Sequence, residues 1–268
     1  MKMDDAPPDV SVIMPAFNAS ADIRESVLCV LRQTYRSLEL LVIDDASTDD
    51  TAAIVQALAN DDGRIRLLRN ASNRGVSFSR NRGIDNARGR FIMFLDSDDL
   101  WESTKIETQV AFMRDHACAA SYMDYSRFRD GDRETAWQVT APGRITYRDL
   151  LASNEIGMLT AAIDLHRVRK LPRFKARGHE DYIFWLELLE GAAPLPALKA
   201  PSLRPLAHYR ERTRSVSSNR IRSAFWHWQV LALQDQALPA RLMLMTRYVW
   251  RALRKRRPVR RRISNAVE

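Results

Sequence analysis

The stretch Phe91-Ile92-Met93-Phe94-Leu95-Asp96-Ser97-Asp98-Asp99 decides the fold. Five apolar residues run directly into three carboxylates within four positions. A continuous apolar run of this length reads as a strand buried on both faces of a sheet. The carboxylates then sit at its C-terminal end, where open α/β sheets hold their ligands. Side chains alternate along an extended chain, so Asp96 and Asp98 share one side of it. Two anions so placed repel unless a positive charge lies between them. Hard oxygens suit Mg²⁺ or Mn²⁺, and Mg²⁺ is commonly held by one or two carboxylates together with substrate phosphates. A polar turn that caps the next helix is the other reading of these residues alone.

Upstream the same alternation repeats. Residues 10–14 form a strand ended by Pro15, and 21–32 carry a helical apolar stripe. A second buried strand over 38–43 stops at Asp44-Asp45, and Ser47 and Asp49 offer N-caps for a helix through Leu58. Residues 65–68 make a short third strand and 77–87 a polar helix. This βαβαβαβ order argues for an α/β fold with a mostly parallel sheet flanked by helices. Further on, a helix over 103–116 leads to a strand at 117–122, and 156–164 offers another. The charged, turn-rich residues 126–147 read as a long mobile excursion. Residues 180–189 form a strongly apolar helix, prolines punctuate 194–205, and two helices fill 219–236 and 239–256.

With 268 residues, 46% hydrophobic and 28% charged, the chain has the size and composition of a globular protein with a substantial core. Cys29 and Cys118 lie in apolar stretches and read as core residues of a reducing compartment. Residues 1–9 read as a flexible N-terminus with two prolines and no apolar segment of the kind a secretory signal needs. No apolar run approaches the roughly 18 residues of a transmembrane helix. A cytoplasmic location is the expectation. The net charge of +9 is accounted for by nine basic residues between 247 and 262, where no acid occurs. The body is neutral and offers no continuous basic face, so no nucleic-acid partner is expected.

Four polar features fall at strand or helix ends: Pro15-Ala16-Phe17-Asn18, Asp44-Asp45-Ala46-Ser47, Asn73-Arg74-Gly75-Val76-Ser77 and Asp96-Ser97-Asp98-Asp99. Each alone reads as a turn. A parallel sheet brings all four to one crevice. Together with the apolar runs before them, these motifs make residues 10–100 resemble the nucleotide-sugar-binding half of family 2 glycosyltransferases, which have the GT-A fold. The resemblance implies a metal-dependent inverting enzyme. Its donor is a nucleotide-sugar, with UDP the commonest nucleotide of the family, and its cofactor is Mn²⁺ or Mg²⁺. It implies that Pro15, Ala16, Phe17, Asn18 and Asp44 or Asp45 hold the nucleobase and ribose, and that Arg74 lies near the nucleotide. Asp96, with Ser97, faces the ribose or sugar, Asp98 binds the metal, and Asp99 positions the donor sugar.

An acceptor hydroxyl needs a base. Gly178-His179-Glu180-Asp181-Tyr182 opens the apolar helix with two acids, which complement the helix dipole on the plainest reading. The resemblance implies Asp181 as base, with Glu180 as the alternative. Family members often carry Tyr-Arg-x-His further on. Here Tyr209-Arg210-Glu211-Arg212 places an arginine where that histidine stands. Arg210, Arg212 or Arg214 is then left to clamp the diphosphate, or His208 to take the metal from a shifted position.

The resulting layout has a catalytic domain over 10–218, divided near residue 100 into donor and acceptor halves, and C-terminal helices with a basic tail over 219–268. Trp250 and several leucines interleave with the arginines, so residues 240–262 read as an element for an anionic membrane surface. Peripheral attachment to the inner face of the plasma membrane would suit a lipid-linked saccharide acceptor. A sugar nucleotidyltransferase is the rival enzyme, but such enzymes usually open with a glycine-rich loop, and 15–18 contain no glycine. A tail-driven binding protein without catalysis is the rival of another class.

Overall fold

The computed structural model describes residues 7–130, 132–176, 179–212, 220–234 and 236–254. Its first half is built from β1 (Val10–Ala16), α1 (Ile23–Leu31), β2 (Leu38–Asp44), α2 (Thr51–Asp61), β3 (Ile65–Arg69), α3 (Val76–Asn86) and β4 (Phe91–Phe94). The short β5 (Leu100–Trp101), α4 (Lys105–Asp115), β6 (Ala120–Tyr122), β7 (Tyr125–Arg129), β8 (Asp132–Val139), β9 (Arg144–Ile145) and α5 (Tyr147–Leu150) follow. The chain continues through β10 (Ala162–Asp164), α6 (Glu180–Gly191), β11 (Ala197–Lys199), β12 (Ala207–Arg210), α7 (Arg220–Leu233) and α8 (Leu238–Arg254).

The large sheet has the order β3-β2-β1-β4-β10-β6-β11-β9. Its first four strands are parallel, and β10 adds to β4 antiparallel, with Ile163 opposite Ile92. Strand alternation sorts the core into two layers. Val12, Leu40, Val42 and Met93 face one layer, with residues of α1, α2 and α4. Ile13, Leu41, Ile43, Ile92 and Phe94 face the other, beneath α6 and the C-terminal helices. Burial on both sides explains why these strands read as largely apolar runs, interrupted only where buried Ser11 and Glu39 hydrogen-bond to each other. Pro15 does not end β1. The strand continues to Ala16 because β4 pairs only as far as Ile13, so the missing N–H costs no bond on that side. Helix α3 lies close over β1 because Gly83 has no side chain: a Cβ there would stand 2.4 Å from Ile13 Cγ2.

Residues 126–147 differ from the mobile excursion expected of them. Most of them form the β7–β8 hairpin of a second sheet, ordered β5-β12-β7-β8, and Arg144–Ile145 becomes β9 of the large sheet. Their charge is the exposed decoration of strands: Arg127 and Arg129 both pair with Glu211, at 2.6 and 3.1 Å. Neither Ser47 nor Asp49 is the N-cap of α2, which is Asp50. The Asp49 carboxylate instead accepts from the Ser20 and Thr51 amides, tying the loop after β1 to that helix.

Helices α6, α7 and α8 are joined by one aromatic stack. The His227 ring lies parallel to Tyr182, with centroids 5.4 Å apart, and to Tyr248, at 4.2 Å. His227 is 2% exposed. Burial, with a smaller contribution from His179, pushes its pKa down from 6.5 to about 4. Between those values the unfolded chain takes up a proton that the folded one refuses, so stability rises with pH across the window. The melting temperature should therefore fall as pH drops from 6.5 to 4. In His227→Phe that part of the fall should disappear, which calorimetry across the pH range would detect.

Candidate active site

The C-terminal ends of β1, β2 and β4 open into a cleft of about 870 Å³. Pro15, Ala16 and Phe17 line it after β1, and Phe17 is 48% exposed. Asn18, at positive φ, turns away to brace the neighbouring loop: its Oδ1 accepts from the Thr48 amide at 2.9 Å. Of the two acids after β2, Asp45 lines the cleft and Asp44 does not. Asp44 is fully buried and paired with Arg69 at 3.0 Å. Asp45 accepts from the amides of Arg74 and Gly75, at 2.9 and 2.7 Å, and from Asn70 Nδ2. It thereby fixes the loop that starts α3. Arg74 contributes that amide, while its guanidinium lies over Phe78 and is not among the cleft residues.

Asp96, Ser97, Asp98 and Asp99 all line the cleft. Asp99 is 2% exposed and accepts from the Arg210 amide at 2.9 Å. Asp98 receives Arg212 Nε at 3.2 Å, and the same guanidinium also pairs with Asp22. Arg210 also lines the cleft, donating from Nε to the Asp98 carbonyl at 2.8 Å and from Nη2 to Glu25. Burial and the charge of Asp96 push the Asp98 carboxyl above its ordinary range. The same two causes, with Asp98 added, act more strongly on Asp99. The cluster is short of positive charge.

Across the cleft, Glu180 and Asp181 open α6. The Asp181 Oδ2 accepts from Asn154 Nδ2 at 3.0 Å. Glu180 is pushed upward by burial and by its neighbour Asp181. His179, which precedes the pair, sits at φ 61° and ψ 45°. A left-handed conformation in a residue other than glycine costs of order 1 kcal/mol and tends to gather at functional sites.

Arg80 of α3 connects the two sides. Its Nη2 meets Asp96 at 2.8 Å and its Nη1 meets Glu180 at 3.4 Å. Its side chain is 5% exposed. Burial opposes the charge, but Asp96, Glu180 and Asp181 outweigh it and hold the guanidinium protonated.

His208 is not where the metal-ligand reading puts it. Its Nδ1 is 2.6 Å from Ser126 Oγ and its Nε2 is 3.0 Å from Glu102, outside the cleft lining. On β12 alternate side chains point to opposite faces, and His208 shares a face with Arg210 but lies one strand step further from the cleft. Arg212 does reach Asp98, and Arg214 lies outside the described residues. No group of three or more His, Cys, Asp or Glu side chains suited to a metal ion occurs among the described residues. The donor set nevertheless fits a hard cation shared with phosphates. Asp98 and Asp96 offer carboxylate oxygens in an anion-rich pocket, and such a cation needs only one or two of them.

Sequence reasoning did not single out Arg80, Tyr125, Arg127, Met158 or Trp226 as cleft residues. The one local signal for Arg80 is the small-residue face Ser79–Gly83 beside it, which lets α3 lie close to the sheet. Trp226 carried no signal, since only the fold brings α7 to α6.

The Glycosyl transferase family 2 model matches residues 11–171. Putative teichuronic acid biosynthesis glycosyltransferase TuaG of Bacillus subtilis is 35% identical over 83% of this chain and 87% of its own. The Escherichia coli UDP-Glc:alpha-D-GlcNAc-diphosphoundecaprenol beta-1,3-glucosyltransferase WfgD is 34% identical over 92% and 94%. Among solved structures, Staphylococcus aureus TarS 1-349 in complex with UDP-GlcNAc superposes with a TM-score of 0.67 at 21% identity, covering 92% of this chain and 73% of that one. The mannosyltransferase PcManGT from Pyrobaculum calidifontis, in complex with GDP-Man and Mn²⁺, gives 0.65 at 21% identity over 92% and 70%. The sheet and its cleft are thus those of a GT-A glycosyltransferase. The chain belongs to glycosyl transferase family 2.

Replacing Arg80 by Met leaves Asp96 and Glu180 facing each other without a cation. The expected loss of stability lies between the ~1 kcal/mol of an exposed pair and the ~3–5 kcal/mol of a buried one, since both acids keep some solvent. Calorimetry should show a lower melting temperature in Arg80→Met. Adding Glu180→Gln should recover part of it, and a melting temperature equal to wild type would refute the bridging role.

Proposed function

We propose that the protein transfers a sugar from a UDP-sugar to a hydroxyl of a lipid-linked saccharide, inverting the anomeric centre in one displacement. The observation that carries this reading is the opposition, within one cleft, of the strand-end carboxylates Asp96–Asp99 and the helix-borne pair Glu180–Asp181. The relatives named for envelope saccharides and UDP-Glc support the donor and acceptor class. Phe17 offers an exposed ring to the nucleobase, and Asp45 with the loop after β1 lines the pocket for the ribose. Asp98, with Asp96, would hold Mn²⁺ or Mg²⁺. When bound, such an ion supplies positive charge to the departing diphosphate. Arg212 adds a guanidinium on the same side, suited to phosphate oxygens.

Asp181 takes the proton of the attacking hydroxyl, and Asn154 aims its carboxylate. The new bond to the anomeric carbon forms as the bond to the diphosphate breaks, and the diphosphate leaves with the electron pair. Arg80 keeps Glu180 engaged, so the neighbouring Asp181 is the carboxylate left for proton transfer.

Isothermal titration with UDP, GDP and dTDP, each with and without Mn²⁺, tests the donor side. UDP should bind best, only with metal, and not to Asp98→Ala. Asp181→Asn should still bind UDP but lose about 10²–10⁴ in kcat. Absence of nucleotide binding under every condition would end this reading.

No helix among the described residues is long and apolar enough to cross a membrane. Helix α8 is amphipathic instead. Leu244 packs inward, while Leu242 and Val249 lie on a stripe 55% and 49% exposed. Trp250 flanks that stripe, and the helix carries arginines and no acid. Residues 255–262 of the basic tail lie outside the described residues. This helix supports peripheral binding to anionic lipid, each nearby cation contributing about 1 kcal/mol. The protein should sediment with phosphatidylglycerol vesicles, and far less with phosphatidylcholine vesicles or as the Leu242→Ser/Val249→Ser/Trp250→Ser variant. Equal sedimentation in all three cases would refute it.

A further inference from the structure

Helix α7 supplies a wall of the cleft that neither the donor site nor the base requires. Trp226 lines the cleft beside His179, Glu180 and Asp181. Its ring stands perpendicular to the His179 ring, with centroids 5.2 Å apart. The next residue, His227, is locked between Tyr182 and Tyr248. Tyr182 directly follows Asp181, and its hydroxyl donates to the Leu150 carbonyl. Helix α7 is therefore held to the segment around the acid pair by two successive residues, the Trp226 indole against His179 before the pair and His227 against Tyr182 after it. Positioning of this kind matters where a ligand must be placed to within about half an ångström of a reacting group.

The chemistry of that wall contrasts with the donor side. The donor side is built of carboxylates and guanidinium groups, whereas Trp226 brings an aromatic ring to the cleft beside the residue that precedes the acid pair. A pyranose has the matching anatomy. Its hydroxyls project around the ring edge, while its faces carry C–H groups that pack on the electron-rich face of an aromatic ring. A sugar whose face rests on the indole keeps its edge hydroxyls free to meet Asp181. A diphosphate, being anionic, would gain nothing comparable from the electron-rich face of an indole.

We propose that Trp226 is the stacking platform of the acceptor subsite and binds the pyranose ring whose hydroxyl is glycosylated. The inference rests on reading Asp181 as the base. It makes Trp226 a specificity-determining residue: loss of the ring weakens the acceptor and spares the donor.

The test uses the full-length chain and two soluble probes, α-D-GlcNAc-diphosphate and α-D-GalNAc-diphosphate, each bearing a short alkyl chain. Binding is followed by saturation-transfer NMR on the pyranose protons and by titration, without donor. Wild type should bind at least one probe, with saturation strongest on the pyranose ring. Trp226→Ala and Trp226→Leu should raise its Kd at least tenfold, and Trp226→Phe should stay within about threefold of wild type. The Kd for UDP, measured separately with Mn²⁺, should move less than twofold in all three. Trp226→Leu keeps apolar bulk and guards against a failure of Trp226→Ala to fold, which melting curves would reveal. The proposal is overturned if Trp226→Leu binds the probe like wild type, or if wild type binds neither probe. It is also overturned if every variant weakens UDP as much as the probe, since Trp226 would then be only a brace. Ring-dependent probe binding by a protein that binds no UDP would sink the donor reading and leave the platform standing.

Discussion

One buried cation organises the active site. Arg80 sits on α3, an element of the donor half, yet it pairs with Asp96 after β4 and with Glu180 at the start of α6. A buried guanidinium persists only where anions surround it, and Asp96 and Glu180 supply that charge here. The pairing therefore sets the distance between the end of β4 and the start of α6. Its nitrogen Nε has no hydrogen-bond partner, and its guanidinium lies over the Phe174 ring at 5.3 Å. The residue is used for charge and reach, with little hydrogen bonding to spare. Asn81, one residue along α3, exchanges two hydrogen bonds with the Phe174 backbone and holds the segment that leads to α6.

Around that bridge the cleft carries more negative charge than it can neutralise. Asp98 and Asp99 are both pushed toward protonation, and Arg212 meets only part of the deficit from an exposed position. Such a site is poised for ligands that bring positive charge with them or displace a guanidinium onto phosphate. The protein tolerates the crowding because the strands beneath are packed on both faces, and the loops are tied to one another through Asp45, Asp49 and Asn18. Stability resides in the sheet and chemical tension at its edge.

The parts legible in the sequence were those in which chain-local pattern and tertiary role coincide. Parallel strands buried on both faces leave apolar runs such as 38–43 and 91–95, and their ends carry the turn residues that become the cleft. For that reason the first hundred residues could be read in order, down to Asp96 and Asp98. The hairpin at 125–139 was missed because its charged residues, such as Arg127 and Arg129, interrupt the short buried face of Ser126 and Phe128 and look the same in a loop and on a strand. His208 was misplaced because a two-residue strand period turns a small offset in a motif into a different position along the edge. Asp44 and Asp45 could not be separated from sequence, since which of two adjacent acids faces a cleft depends on strand register. Arg80 meets Glu180 from 100 residues away, and Trp226 meets His179 only because the fold brings α7 to α6, so local pattern says little of either role.

The family model's match ends at residue 171, whereas α6 with its acid pair and the α7 wall come later. On the roles proposed above, donor handling and the placement of the acceptor reside in separable stretches of one chain, joined by Arg80 and by the aromatic stack through His227. Recombination between relatives would meet a natural constraint here. A crossover after residue 171 must bring α6, α7 and α8 together as one cassette, because a new helix α7 set against an old α6 would break the stack and misplace the carboxylate beside it. New acceptor preferences are then to be expected from exchange of whole C-terminal cassettes, and variation in donor from changes confined to the strand ends.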